Sequence, residues 1–179
     1  MHNAFESHTI VEWQKMPFRI EAIATFGIRL LIGTSEGKLL IYDIPNELAG
    51  SNFDVKLITI KKEFSKAKKP ISQLNIVEEF NILLSMIDGY VHIHSLKNFE
   101  EIARMEKSKG CTAYAIDVQV RGAPHMDTHR SKRDMKMNPA ELCVRLAVVI
   151  KRKILTFEWD HVSEVFEECK EVSVAEVGV

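Results

Sequence analysis

The chain alternates short apolar runs with polar turns, and one such pattern occurs twice. Residues 30–44 read LLIGTSEGKLLIYDI and residues 82–96 read ILLSMIDGYVHIHSL. When Gly37 is aligned with Gly89, 52 positions later, apolar positions coincide on both sides of the turn. Each copy combines an apolar strand, an acidic-glycine turn and an alternating strand, which predicts a β-hairpin. A hairpin that recurs at roughly 40 to 50 residues is typical of β-propeller blades.

The same pattern predicts an all-β fold, a partial β-propeller of about three four-stranded antiparallel blades. Because propellers typically have four to eight blades, we expect a piece of a larger propeller, a short isoform or an incomplete gene product. A compact three-sheet fold is the less favoured alternative. The predicted organisation is a lead-in at 1–19, followed by a partial propeller domain at 20–179 with blades at about 20–64, 71–106 and 111–174.

The third unit departs from the other two. Its central hairpin turn is Lys151-Arg152 and contains no glycine. A polar stretch at 121–139 separates its first two strands. Because this composition buries little apolar surface, we predict a basic surface-loop insert there.

The overall composition argues against nucleic acid as a partner and against secretion. A net charge of −1 argues against a nucleic-acid-binding protein. The three cysteines are widely spaced and form no zinc or disulfide pattern, which favours a reducing compartment. No apolar run approaches the ~20 residues of a membrane-spanning helix, and no secretory signal is visible. We therefore expect a cytoplasmic protein, either free or peripheral on a membrane.

Two histidine patterns are candidates for metal chemistry. His92 and His94 alternate along one strand and should share a face. Zinc needs further ligands at a suitable spacing, so we interpret both as partly exposed strand histidines. The triad His125, Asp127 and His129 suggests an alternative, a small metal-dependent hydrolase, but it lacks the HExxH glutamate. We predict no metal site, no cofactor and no enzymatic activity.

Other candidate sites have simpler explanations. The spacing of Gly33 and Gly37 does not match a phosphate-binding loop, and we attribute both glycines to the positive φ of a hairpin turn. Trp13 and Trp159 are predicted to pack in a core or an interface. The candidate nucleophiles have no neighbouring catalytic motif such as G-x-S-x-G; they are Ser35, Ser85 and Cys111.

Two basic clusters remain. We favour solvated loops for both, and the alternative is a pair of weak electrostatic contact patches for anionic lipid or an acidic partner. Their members are Lys61, Lys62, Lys66, Lys68 and Lys69 in the first cluster, and Arg130, Lys132, Arg133 and Lys136 in the second.

An ordered set of residues along nearly the whole chain resembles the vacuolar protein sorting subunit thirty-nine family. It begins with Met1-His2 and Ala4-Phe5-Glu6. Further members are Leu31-Ile32-Gly33-Thr34 with Gly37, Phe64-Ser65-Lys66, Phe80 with Ile82-Leu83, Ala147-Val148, Lys151 to Lys153, and Phe157 with Trp159.

The resemblance implies an N-terminal citron homology (CNH) domain, a seven-bladed propeller that an α-solenoid follows. It also implies a non-catalytic subunit of the HOPS tethering complex, cytoplasmic and peripheral on late endosomes, lysosomes or vacuoles. The implied partners are other tethering subunits and a late-endosomal Rab GTPase. The resemblance carries over no catalytic residue.

The chain departs from this family in two respects, and one alternative stays open. The stretch at 121–139 is longer and more basic than the family leads us to expect, and the chain ends where the propeller would be near half complete. The alternative is a CNH-type scaffold for receptor or kinase signalling, similar to the TGF-beta receptor-associated protein, which lacks the MHxAFE start.

Overall fold

Three four-stranded antiparallel sheets make up the described part of the computed structural model, which covers residues 18–44, 55–120 and 141–173. Each sheet follows chain order, from its first strand to its fourth. This confirms the predicted all-β, partial-propeller fold. The strands are β1 (Ile20–Phe26), β2 (Arg29–Thr34), β3 (Leu39–Asp43) and β4 (Lys56–Lys61) in sheet 1; β5 (Ile71–Val77), β6 (Ile82–Ile87), β7 (Tyr90–Ser95) and β8 (Glu101–Met105) in sheet 2; and β9 (Cys111–Val120), β10 (Leu142–Ile150), β11 (Lys153–Asp160) and β12 (Val165–Ser173) in sheet 3.

Several predictions fall on residues outside the described ranges. These are most of the lead-in at 1–19 and the whole insert at 121–139. The domain boundaries therefore stay predictions. The individual residues concerned are Trp13, His125, Asp127, His129, Arg130, Lys132, Arg133 and Lys136.

The hairpin turns use the backbone conformations that the sequence suggests. Gly37 and Gly89 each have a φ of +73°, in the left-handed region that glycine tolerates best. Asp88 precedes Gly89 with a φ of +52°, and two successive positive φ values are typical of a tight two-residue hairpin turn. In sheet 3 the turn is Lys151-Arg152, as predicted, and Lys151 itself takes a φ of +52°.

Gly33 has a different role from the one that the sequence suggests. Its φ is not in the left-handed region, so the predicted turn conformation is wrong for this residue. Instead, a Cβ at Gly33 would lie 2.8 Å from Cγ2 and 2.9 Å from Cβ of Ile71, the first residue of sheet 2. The glycine therefore allows sheet 1 to approach sheet 2 closely.

Apolar side chains fill the space between successive sheets. Leu31 and Ile41 of sheet 1 pack with Ile71 and Leu83 of sheet 2 in one cluster. A second cluster joins sheet 2 to sheet 3 and includes Trp159, which is buried as predicted. Alternate residues of the strands therefore face neighbouring sheets, which is the arrangement expected for stacked propeller blades. A third cluster lies on the other face of sheet 1 and contains Leu30, Ile32, Leu40 and Tyr42.

Candidate interaction site

The first basic cluster begins at Lys61, the last residue of β4, and continues along the connection from sheet 1 to sheet 2. Ser65 fixes that connection in place. The backbone N–H of Ser65 donates to the carbonyl oxygen of Gly37 over 2.9 Å. The Ser65 hydroxyl accepts from the backbone N–H of Lys69 over 3.0 Å. The basic segment is therefore held against the β2–β3 turn of sheet 1.

Phe64 attaches the same segment to sheet 2. Its ring is buried and stacks on the imidazole of His94, with ring centroids 4.1 Å apart and an interplanar angle of 21°. His94 lies on β7, on the face of sheet 2 that packs towards sheet 1. Phe64 also belongs to the apolar cluster between the two sheets.

His94 departs from the sequence interpretation. His92 and His94 share a face, as predicted, but His94 is only 1% exposed, so the prediction of two partly exposed histidines is wrong for this residue. The Phe64 ring from the preceding connection covers it, which strand alternation alone does not reveal. Burial, and then the nearby charge of His92, lower the pKa of His94 to about 3.

Ser85 and His94 form a buried pair that the sequence did not suggest. The Ser85 oxygen lies 2.9 Å from Nε2 of His94, a distance seen between catalytic serines and their bases. A catalytic pair also needs a group that orients the base, yet Nδ1 of His94 has no hydrogen-bond partner. Ser85 is fully buried, and a histidine with such a low pKa is a weak general base near neutral pH. The pair therefore serves packing or binding better than nucleophilic catalysis.

A separate set of polar contacts joins His92 to the surface. Nδ1 of His92 lies 3.2 Å from a carboxylate oxygen of Glu101, and the Lys66 ammonium lies 3.3 Å from the other oxygen. Burial alone would raise the pKa of Glu101, but its hydrogen bond to His92 and the charges of His92 and Lys66 lower it overall. Glu101 therefore stays ionised and anchors Lys66.

The lysines of the first cluster do not form a uniformly positive surface, because acidic side chains pair with some of them. Lys66 pairs with Glu101, and Lys69 lies 3.9 Å from Asp88. Within the part of the chain that the structure describes, Lys61 and Lys62 have no ion-pair partner. A cleft of about 690 Å³ lies beside Phe64, and we call it the Phe64 cleft. It is lined by Ile60, Lys61, Lys62, Glu63, Phe64, Lys66, His94, Phe99, Glu100 and Glu101.

Two further features bear on function. Across residues 18–44, 55–120 and 141–173, no group of three or more histidine, cysteine, aspartate or glutamate side chains is arranged to hold a metal ion. In the same ranges, no helix has the length and apolar character needed to cross a bilayer.

Comparisons with known proteins identify a domain family and similar proteins from other organisms. The family model described as CNH domain matches residues 27–178. The human Vam6/Vps39-like protein is 31% identical over 170 residues, which cover 89% of this chain and 17% of the relative. The Drosophila melanogaster vacuolar protein sorting-associated protein 39 homolog is 28% identical over 163 residues, covering 89% and 16%. The chain thus spans about a sixth of the length of these curated relatives.

A solved structure also resembles the fold. The computationally designed Ika4 protein matches with a TM-score of 0.51 at 16% identity, over 90% of this chain and 78% of that protein. At this identity the similarity concerns the fold alone.

Proposed function

This chain belongs to the CNH domain family, and we propose that it is a protein-interaction module of a HOPS-type vesicle-tethering subunit. In this proposal it acts in traffic from endosomes to lysosomes or vacuoles and in the membrane fusion that follows. The proposed partners are other subunits of the tethering complex and a late-endosomal Rab GTPase. The proposed location is the cytoplasmic periphery of late endosomes, lysosomes or vacuoles.

One observation carries this proposal. The similarity to Vam6/Vps39-like and vacuolar sorting proteins runs over 89% of the chain, not over one short motif. The Drosophila melanogaster relative is named for vacuolar protein sorting, and the CNH model matches residues 27–178 of this chain. Domains of this family are generally non-catalytic, which favours a role in presenting a surface.

The surface around Phe64 supports an interaction role. Ser65 and Phe64 hold the basic segment in a defined conformation against both sheets. A pre-ordered surface loses less conformational entropy when a partner binds. The first-cluster lysines, from Lys61 to Lys69, are therefore proposed contact residues, alongside the second-cluster residues at 130–136.

A cellular test addresses the proposal. The gene for this protein is disrupted in its source cells, and delivery of a fluorescent endocytosed cargo to lysosomes or vacuoles is followed over time. Slower delivery that returns to normal when the gene is restored is the expected result. Unchanged delivery, together with a fluorescently tagged protein that stays away from late-endosomal membranes, would argue against a tethering role.

A further inference from the structure

The fourth strand of each sheet contains one residue more than the third strand can pair. In sheet 1, Leu57 and Thr59 of β4 pair with consecutive residues of β3, so Ile58 between them has no partner on that strand. Such an extra residue is a β-bulge, which bends its strand and interrupts the ladder of hydrogen bonds. The corresponding extra residues are Ile102 in β8 and Cys169 in β12.

The three bulges occupy the same place in their sheets. Each lies opposite the fourth and fifth residues after the hairpin turn between the second and third strands, a turn that ends at Gly37, Gly89 or Arg152. Because bulges at sheet edges re-shape a strand and are not random defects, a bulge that recurs at one place in three sheets indicates a built feature of the fold. The residues opposite the bulges are Ile41 and Tyr42 in sheet 1, Ile93 and His94 in sheet 2, and Thr156 and Phe157 in sheet 3.

The bulged strands are also the outer edges of the sheets. Within residues 18–44, 55–120 and 141–173, no further strand pairs with β4, β8 or β12. An edge strand exposes unpaired backbone N–H and C=O groups, to which another chain can add a strand. The bulge leaves unbroken pieces of β4 at 56–57 and 59–61 only. Because strands are usually about five or six residues long, neither piece is a template of the usual length.

The edge of sheet 1 depends on its bulge more than the other two edges do. Charged side chains are a second protection of an edge, and they occur within β8 (EIARM) and within β12 (VFEECKEVS). In β4 (KLITIK) the lysines stand only at the two ends. Between them, Leu57, Ile58 and Ile60 are 46%, 51% and 38% exposed. Uncharged segments rich in isoleucine and threonine pair readily as strands.

We infer that the bulge at Ile58 keeps the outer edge of sheet 1 from pairing with β4 of a second copy of this chain. Without Ile58 the strand would read KLTIK and would pair residue for residue with β3, because the pairs on both sides of the bulge are already in register. Its outer edge would then offer an unbroken strand of ordinary length. Pairing of this kind joins the chain to itself, so it succeeds or fails apart from the proposed tethering role.

Deletion of Ile58 is the test. Sedimentation velocity compares the 179-residue protein with the deletion variant over a range of concentrations. We expect the variant to self-associate about tenfold more tightly than the parent, since an uninterrupted edge gains both backbone hydrogen bonds and apolar contacts. Circular dichroism and thermal unfolding check that the variant is folded.

Two further variants separate edge pairing from a general effect of a deletion. Deletion of Ile102 removes the corresponding bulge from β8, where charged side chains remain, and should leave association close to that of the parent. Leu57→Lys, added to the deletion of Ile58, places a charge within the restored edge. This combined variant should return association to the level of the parent.

Three outcomes would overturn the inference. The first is a deletion of Ile58 that leaves association as weak as in the parent. The second is equal association after deletion of Ile58 and of Ile102, or association that Leu57→Lys does not reverse, because either result would indicate damaged packing and not edge pairing. The third is an unfolded protein after deletion of Ile58, since the restored register requires that this half-exposed residue be dispensable for the pairing of β4 with β3.

Discussion

The side-chain amide of Gln73 pairs with the backbone of Tyr114 in both directions. Its Nε2 donates to the Tyr114 carbonyl oxygen over 2.7 Å, and its Oε1 accepts from the Tyr114 N–H over 3.3 Å. Gln73 lies on β5 and Tyr114 on β9, the first strands of sheets 2 and 3. Tyr114 also donates its hydroxyl to the carbonyl oxygen of Leu84 on sheet 2. Polar contacts therefore fix the position of sheet 3 on sheet 2, in addition to the apolar core.

Replacing Gln73 by leucine should destabilise the protein by about 1–3 kcal/mol, because the Tyr114 N–H and C=O lose their partner. Urea unfolding followed by tryptophan fluorescence measures the change. Gln119→Leu is the control, since the Gln119 amide bonds Asp117 on the exposed surface. Equal losses in the two variants would contradict a special role for the Gln73 pair.

Gly33→Ala should lower the free energy of unfolding by about 1–3 kcal/mol. The new methyl would meet Cγ2 and Cβ of Ile71 at distances that real side chains do not adopt, so the two sheets must move apart. Thermal unfolding of Gly33→Ala is compared with Thr25→Ala, an exposed change on the neighbouring strand that should cost less than about 0.5 kcal/mol. Wild-type stability in Gly33→Ala would disprove the close approach.

His94 should make stability depend on pH. Its pKa of about 3 in the folded protein lies below the value of ~6.5 for an unfolded chain. The unfolded state therefore binds one more proton between these values. The stability contribution is fully present above about pH 6.5, and it declines by up to ~1.4 kcal/mol per pH unit as the pH falls.

His94→Phe, which keeps a ring on Phe64, should remove that decline. Urea unfolding at pH 7 and pH 5 compares the variant with the wild type. The lowered pKa of Glu101 also makes stability fall in acid, but this loss occurs at a pH below the ordinary pKa of a glutamate. The comparison therefore ends at pH 5. A decline of the same size in both proteins would show that another group is responsible.

Lys151→Gly should raise the free energy of unfolding by about 0.5–1 kcal/mol. Lys151 is exposed and has a φ of +52° in the β10–β11 turn, where a side chain is strained and glycine is not. Lys109→Gly is the matched control, because Lys109 is an exposed lysine with a φ of −51°, so glycine relieves no strain there and only adds flexibility to the unfolded chain. A lower melting temperature for Lys151→Gly than for the wild type would count against turn strain.

The sheets could be predicted from the sequence because their signals are local. Alternating residues such as Val91 and Ile93 define a strand face, and Gly37 and Gly89 mark hairpin turns wherever the sheets later pack. The turn at Lys151-Arg152 was also predictable, from its length and from the apolar strands on either side.

The rest depends on contacts between distant segments. Position 33 must be glycine because a Cβ there would clash with Ile71 of sheet 2. The aligned position in the second repeat is Ser85, whose side chain instead contacts His94. His94 is buried because the Phe64 ring, on the connection between sheets 1 and 2, packs over it. The alternation of residues along a strand does not predict this contact. The ion pair of Lys66 with Glu101 likewise joins the connection between sheets 1 and 2 to strand β8. No local pattern signals these relationships.

The central claim is that this chain presents a surface to vesicle-tethering proteins. The most direct measurement is quantitative mass spectrometry of the proteins that the immobilised 179-residue chain retains from a lysate of its source cells. The designed Ika4 protein, which shares the fold at 16% identity, serves as the control bait. We predict that tethering-complex subunits and a late-endosomal Rab GTPase are enriched over Ika4. Enrichment of signalling receptors or kinases without any tethering subunit would contradict the account and favour the signalling-scaffold alternative.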